Sequence, residues 1–147
     1  MKLKKILITG FVAWISYLIL GTIVEIISKS LFAPYKEEMA IIFKPVALNP
    51  DLKFMAIILF VYLIFALIIV SFYSILRESV PGKSSVQKGF SFGMIVWTLF
   101  ILMPNVLNYL NYKILSGLFL LIPAIDIITI IPGVVIAAVV YERISDS

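Results

Sequence analysis

The chain has 147 residues, of which 63% are hydrophobic and 14% are charged, and its formal net charge is +4. A small soluble domain leaves much of its surface in water, so it could not hide this much apolar side chain. The composition therefore requires lipid as part of the solvent and excludes a soluble globular domain. The lack of cysteine and histidine excludes disulfides, thiolate chemistry, Cys/His zinc sites and histidine proton relays.

The first apolar run covers residues 6–27 and follows a basic start at Lys2, Lys4 and Lys5. A basic start before an apolar stretch is also typical of a signal peptide. This run is long, however, and no small-x-small cleavage site follows it. The sequence therefore favours a retained first membrane span.

The segment of residues 28–53 is the only sizeable stretch outside the apolar runs. Pro34 favours the start of a helix and Pro45 favours its end. These signals predict a short helix between the first two spans. It would lie on the outer surface of the bilayer as an interfacial helix, or act as a cap over a pocket or a partner-binding surface. Its apolar residues are Met39, Ile42 and Phe43.

Three further apolar runs cover residues 54–76, 89–111 and 114–141. Each of the four runs has at least about 20 residues, which is enough for a helix to cross a hydrocarbon core of about 30 Å. Helices satisfy their own backbone hydrogen bonds in lipid. The sequence therefore predicts an all-α, polytopic membrane bundle of four transmembrane helices, with a short interfacial helix between spans one and two. Residues 1–147 form one four-span domain.

The distribution of lysine and arginine predicts the orientation of the spans. Seven basic residues fall on the side of the two termini: Lys2, Lys4, Lys5, Arg77, Lys83, Lys88 and Arg143. Five fall on the other side: Lys29, Lys36, Lys44, Lys53 and Lys113. Because cytoplasmic loops carry an excess of Lys and Arg, both termini are expected in the cytoplasm of a cell-membrane protein. The positive charge is then a topology signal and does not indicate a nucleic-acid partner.

Two short matches hint at an internal repeat. Gly10 and Trp14 have the same spacing as Gly93 and Trp97, and "YSILRES" at the end of span two resembles "YERISDS" at the end of span four. A real repeat would relate two helical hairpins by an axis along the membrane normal. Matches this short arise readily by chance, so the sequence alone does not establish the repeat.

Small residues one turn apart mark places where helices can approach closely in lipid. Gly89 and Gly93 form such a pair in span three, and Gly133 and Ala137 form another in span four. Spans three and four are joined by a short connection, so they are expected to be antiparallel neighbours. We expect the two small-residue pairs to meet.

Asp126 lies deep in the fourth apolar run, between Pro123 and Pro132. On a helical wheel it shares a stripe with Thr129, Gly133 and Ala137, so it should point into the bundle. Placing an aspartate near the bilayer centre costs roughly 2.5–3.5 kcal/mol on insertion scales. That cost indicates either a hydrogen-bonded acid that fixes helix packing or an ion, proton or ligand site.

Helix rise predicts two alternative surroundings for Asp126. In one, the acid lies near the midplane and accepts hydrogen bonds from the hydroxyls of Tyr17, Tyr62 and Thr98. In the other, the start of span four lies along the interface, and Asp126 rises towards Glu25 and Asn108. The candidate ligand or ion residues are Asp126, Glu25, Asn105, Asn108 and Thr129. Glu25, Asn105 and Asn108 also have a simpler explanation as interfacial residues.

The sequence reduces the possible functions to two hypotheses. No nucleophile–base pair, phosphate loop or catalytic cluster is visible, so an enzyme is not expected, and neither cofactor nor metal is indicated. The first hypothesis is a structural or accessory subunit of a membrane assembly, whose partners are the lipid bilayer and other membrane-protein subunits or further copies of the chain. The second is a small transporter or channel component that uses Asp126, with Glu25 and Asn108, as a proton, ion or ligand site.

Overall fold

The computed structural model of the chain describes residues 2–37, 39, 51–111 and 117–145, and within this part it is helical with short turns. Four helical units are long and apolar enough to cross a membrane. The first span is Lys2–Phe32 and the second is Leu52–Leu76. The third span joins Ser85–Trp97 to Met103–Asn111, and the fourth span is Leu118–Ser145. The predicted all-α bundle of four spans is thus confirmed.

The helices extend beyond the apolar runs because polar residues cap their first turns. Asp51 accepts a hydrogen bond from the Phe54 backbone N–H at 2.7 Å, and Ser84 accepts one from the Gln87 N–H at 3.3 Å. These caps satisfy backbone donors that would otherwise lack partners. The second and third spans therefore start before the first apolar residues of their runs.

The helix predicted between the first two spans is not shown. Ala33–Tyr35 forms a 3₁₀ turn that continues the first span. Residues 40–50, which include Ile42, Phe43 and Pro45, lie outside the described residues. The same holds for residues 112–116, where the fourth span was predicted to begin. Its described helix starts at Leu118.

The start of the first span and the end of the fourth span lie at the same end of the bundle, which we call the inner end. The Lys5 ammonium near the start of the first span sits 3.8 Å from the centre of the Tyr141 ring near the end of the fourth. The inner end also holds an ion pair of 3.2 Å between Arg77 and Glu142. The Tyr73 hydroxyl donates to Glu142 at 3.3 Å. These five residues, here called the inner cluster, tie together the first, second and fourth spans.

The two helical hairpins share one packing device. In the first, a Cβ built on Gly10 would lie 3.4 Å from the Leu67 Cα, and the Trp14 indole N–H donates to the Leu59 carbonyl at 3.0 Å. In the second, a Cβ built on Gly93 would lie 3.3 Å from the Ile131 Cα, and the Trp97 N–H donates to the Pro123 carbonyl at 2.8 Å. The residues contacted by the glycine and the tryptophan are eight positions apart in both hairpins, Leu67 and Leu59 in the first and Ile131 and Pro123 in the second. The Gly-x-x-x-Trp match therefore corresponds to a repeated contact.

The fourth span is central and packs against both the first and the third. On the side of the third span, a Cβ on Gly89 would lie 2.8 Å from the Val135 Cα. Gly133 faces the first span instead, where its Cα lies against the Tyr17 ring. The expected meeting of the two small-residue pairs is therefore wrong for Gly133. Positions 133 and 135 differ by about 200° on a helix, so they serve different neighbours.

Candidate functional site

The fourth span carries Asp126 into the outer half of the bundle. The helix is continuous through Pro123 and Pro132. It begins at Leu118, so Asp126 lies about 12 Å along the axis from its described start. The two predicted arrangements placed Asp126 at the midplane or near the outer interface, and the observed depth lies between these two positions.

Asp126 lines a cavity of about 470 Å³. The first, second and fourth spans supply most of its wall, with Ile101 as the contribution from the third. The lining residues are Tyr17, Gly21, Val24, Glu25, Ser28, Phe32, Val61, Tyr62, Phe65, Ile101, Ile122, Ile125, Asp126, Thr129 and Ile130. The cavity thus joins residues from both predicted arrangements: Tyr17 and Tyr62 from the first and Glu25 from the second. Thr129, predicted on the same helix stripe, also belongs to it.

The residues that line the cavity differ in exposure. Val61 and Tyr62, near the middle of the second span, are 53% and 51% exposed, and Glu25 on the first span is also exposed. Tyr17 and Asp126 are more buried. Beyond Tyr17, towards the inner end, a cluster of buried residues including Ala13, Ala66, Val70 and Val134 fills the interior.

The cavity is mostly apolar and carries acids without cations. Asp126 and Glu25 are its charged residues, and no lysine or arginine is found among the described residues that line it. Asp126 forms no hydrogen bond or ion pair with another residue in the described ranges, although it lies close enough to the Tyr62 hydroxyl to interact with it electrostatically. The hydrogen bonds predicted from Tyr17, Tyr62 and Thr98 are therefore not formed. An acid that fixes packing would be expected to have such bonds.

The Tyr17 hydroxyl is a second polar group without a partner in this cavity. Tyr17 is 7% exposed, and its hydroxyl is buried with no hydrogen-bond partner in the described part of the chain. Its ring rests against Gly133 and stacks at a tilt 6.5 Å from Phe65. Buried hydroxyls are normally hydrogen-bonded, because leaving one unpaired costs about 1–3 kcal/mol. Tyr17 is thus a cavity-lining residue whose hydroxyl makes no hydrogen bond within the described part of the chain.

A π-helical turn at Thr98–Leu102 places Ile101 in the cavity wall. The Met103 backbone N–H donates to the Thr98 carbonyl, five residues back. Pro104 explains the turn, since its ring would clash with the carbonyl four residues earlier in a regular helix and it has no N–H to donate. The sequence interpretation missed this feature, although Pro104 within the third apolar run is a signal that could have revealed it.

The two candidate asparagines lie away from the cavity. The Asn105 side-chain amide donates to the Ile101 carbonyl of its own helix at 2.8 Å. Asn108 is exposed, and neither asparagine is among the lining residues. The predicted combination of Asp126 with Asn108 is therefore not formed. Asn105 serves instead to satisfy a carbonyl next to the π-helical turn, where the helical hydrogen-bond pattern changes.

The inner cluster contains polar residues that the sequence interpretation did not select. Arg77 and Glu142 are each 30% exposed in their side chains, and Tyr73 and Tyr141 meet edge to face at 5.8 Å. Their place at a bundle end and their mutual contacts fit a structural role. Within the described ranges, no group of three acidic residues is arranged to hold a metal ion.

The fold and the cavity together define a four-span helical membrane bundle with an acid-containing pocket in its outer half. No protein-family model, curated protein or solved structure matches the chain. The functional argument therefore depends on the site itself.

Proposed function

We propose that this small multi-pass membrane protein binds a ligand in its outer half and acts as a transporter or ligand-binding component, with Asp126 as the central residue of the site. The observation that carries the proposal is the cavity itself, in which residues of separate spans bring Asp126, Glu25 and Thr129 together. Such sites between helices are where membrane bundles bind their ligands.

The surroundings of Asp126 support a binding role over a structural one. An acid at this depth carries an insertion cost of roughly 2.5–3.5 kcal/mol. A structural role would offset that cost with hydrogen bonds to neighbouring helices, and none is formed within the described ranges. The unpartnered Tyr17 hydroxyl adds a second polar group to the same cavity. The absence of a nucleophile–base arrangement in the sequence makes the proposed role non-enzymatic.

The accessory-subunit hypothesis is the competing proposal. Exposed Asn108, near the outer end of the third span, is the observation that favours it. An amide at a helix surface in lipid is well placed to bond with a partner subunit or another copy of the chain. A subunit of this kind would co-purify with larger partners, and it would bind no small ligand through Asp126.

We also propose that both termini are cytoplasmic, so that the cavity opens on the outer side. The common location of Lys5 and Tyr141 and the seven-to-five distribution of basic residues support this orientation. The chain contains no cysteine, so single-cysteine variants can be labelled without background. In intact cells, an impermeant thiol reagent should label Lys53→Cys and spare Lys83→Cys. Labelling of Lys83→Cys but not of Lys53→Cys would show that the termini lie outside the cell.

The binding function is tested by a ligand screen on the full chain in lipid nanodiscs. The melting temperature is measured against small cations, neutral molecules and anions, because a ligand that binds only the folded state raises it. At least one class should stabilise the wild-type chain and have no effect on Asp126→Asn. Glu78→Gln, at an exposed acid in the turn after the second span, is the matched control and should behave as wild type. A screen without an Asp126-dependent ligand would contradict the function.

Access to the cavity is tested separately with Thr129→Cys and Ala137→Cys. Both positions share one stripe of the fourth span, but Thr129 lines the cavity and Ala137 is 3% exposed in the packed interior. A small maleimide should label Thr129→Cys much faster than Ala137→Cys. Equal protection of both thiols would show that the cavity is closed to small molecules.

A further inference from the structure

We infer that the occupant of the cavity is a hydrophobic amine with a single positive charge. This inference rests on the proposed function and specifies the chemical class of its ligand. Two independent observations lead to it: Asp126 and Glu25 line the cavity without a cationic partner among the described residues, and the buried Tyr17 hydroxyl has no hydrogen-bond partner among them.

Charge excludes an anionic ligand. Asp126 and Glu25 face the cavity, and the lining residues that the structure describes include no lysine or arginine. A carboxylate or phosphate group brought into this space would meet like charges in a low-dielectric environment, where repulsion is strong. A neutral ligand would leave Asp126 without an ionic partner.

Size and composition exclude an inorganic cation as the main occupant. Metal ions and alkali ions in proteins are held by several oxygen ligands in a tight shell. The described residues offer no group of three acids for such a shell. The cavity of about 470 Å³ is lined mainly by Val, Ile, Phe and Tyr side chains, and it falls in the size range of small-molecule sites.

The aromatic residues suit an organic ammonium group. Tyr62 lines the same cavity as Asp126, and Tyr17 and Phe65, which also line it, form a tilted pair. Aromatic faces attract ammonium cations, especially where water is excluded. The charged end would pair with Asp126, the Tyr17 oxygen would accept a second N–H, and the hydrocarbon part would contact the apolar wall.

The exposed lining residues indicate how such a molecule enters. Glu25 is exposed on the first span, and Val61 and Tyr62 are half-exposed on the second. An amphipathic amine concentrates at the membrane–water interface, with its ammonium near the headgroups. Glu25 would meet the ammonium first, and Asp126 would hold it further in.

The test is a calorimetric titration of the full chain in phosphatidylcholine nanodiscs with octylamine, octan-1-ol and octanoate. These probes share one hydrocarbon chain and differ in charge, and empty nanodiscs correct for partitioning into lipid. Octylamine should bind at least about tenfold more tightly than octan-1-ol, and octanoate should bind most weakly. Asp126→Asn should bring the amine to within about threefold of the alcohol. Asp126→Glu should retain the preference, and Glu78→Gln should leave it unchanged.

Two outcomes would overturn the ligand class. One is equal affinity of the wild-type chain for octylamine and octan-1-ol, and the other is tighter binding of octanoate. If none of the three probes binds while the wider screen finds an Asp126-dependent ligand, the class is wrong and the binding function stands. If the wider screen also finds none, both proposals are wrong.

The bilayer is an alternative source of the same ammonium chemistry. The phosphate of a phospholipid would face the two acids, which disfavours it as the occupant. Repeating the octylamine titration in nanodiscs with increasing phosphatidylethanolamine decides between the sources. Unchanged affinity supports a free amine. A progressive loss of affinity would identify the lipid headgroup as the occupant and overturn the free-amine inference.

Discussion

The inner and outer halves of this bundle differ in how their helices pack and in where their charged groups find partners. In the inner half, glycines bring helices together, as at Gly89 against Val135, and the charged groups Arg77 and Glu142 form an ion pair. The buried Thr9 hydroxyl is an exception in this half, since it has no partner among the described residues. In the outer half, Asp126 has no hydrogen bond or ion pair and the Tyr17 hydroxyl has no hydrogen-bond partner among the described residues, and both residues line one cavity. The inner half is thus filled by packed side chains, whereas the outer half encloses space next to an acid, which is the basis of the proposed binding site. Unpaired polar groups of this kind reduce stability and are typical of functional sites.

The fourth span passes through both halves and shows how one helix serves both purposes. Its inner part carries Val134, Ala137 and Ala138, which are almost fully buried. Its outer part carries Asp126 and Thr129, which are only partly buried. The two parts differ in what they meet across the bundle, since buried core residues surround the first and a cavity adjoins the second.

The largest effect is expected from Gly89→Leu in the inner half. A Cβ there would lie 2.8 Å from the Val135 Cα and 2.9 Å from the Ala138 Cβ, so a larger side chain must push the third and fourth spans apart. We expect a loss of about 3 kcal/mol, measured by unfolding in detergent. Gly21→Ala in the outer half is the control, because a Cβ at Gly21 meets nothing within 4 Å. Equal losses at both positions would remove the contrast between the halves.

Asp126→Leu is expected to change stability in the opposite direction. Because Asp126 has no hydrogen bond to lose among the described residues, replacing it by an apolar side chain should raise the free energy of unfolding by about 1–2 kcal/mol. Asp126→Asn, which stays polar, should lie close to wild type. The same unfolding assay measures both variants. A marked loss with Asp126→Leu would mean that the acid stabilises the bundle.

Glu142→Ala should weaken the inner cluster by about 1 kcal/mol. The side chain accepts hydrogen bonds from Tyr73 and Arg77, but its partial exposure limits their contribution. A double-mutant cycle with Arg77→Ala should give a coupling energy below about 1 kcal/mol that decreases with added salt. Glu78→Ala provides the unpaired control. A coupling energy of zero would leave the ion pair without a role in stability.

The smallest effect is expected from Tyr17→Phe, and Tyr73→Phe is its natural counterpart. The Tyr17 hydroxyl has no partner in the part of the chain that the structure describes, so its removal should change the free energy of unfolding by less than about 0.5 kcal/mol. The Tyr73 hydroxyl donates to Glu142, so its removal should cost about 1 kcal/mol. Unfolding of the two variants side by side measures the difference. A larger loss for Tyr17→Phe would reveal a bond that the outer half depends on.

Much of the site could be selected from the sequence, because charge inside an apolar run is conspicuous. Asp126 and Glu25 were identified in this way, Thr129 was identified by its place on the same helical stripe as Asp126, and all three line the cavity. Asn105 and Asn108 were selected by the same reasoning and lie elsewhere. Polarity shows that a residue is unusual in lipid, but it does not show which neighbour the side chain meets. Tyr62 and Asp126 occupy matching positions in the two hairpins, three residues after Leu59 and Pro123, which accept the two tryptophan hydrogen bonds. Their shared place in the cavity nevertheless depends on how the two hairpins pack together.

The sequence by itself determined that the chain forms four apolar helices. Hydropathy and run length are local properties, and each apolar run satisfies its own backbone hydrogen bonds in lipid as a helix. Only the tertiary structure decided that Gly133 contacts the first span, that a π-helical turn brings Ile101 to the cavity and that Asp126 has no hydrogen-bond or ion-pair partner among the described residues. A helical wheel fixes the angle between residues of one helix. The identity of the helix on each side follows from the joint packing of all four, which no single span encodes.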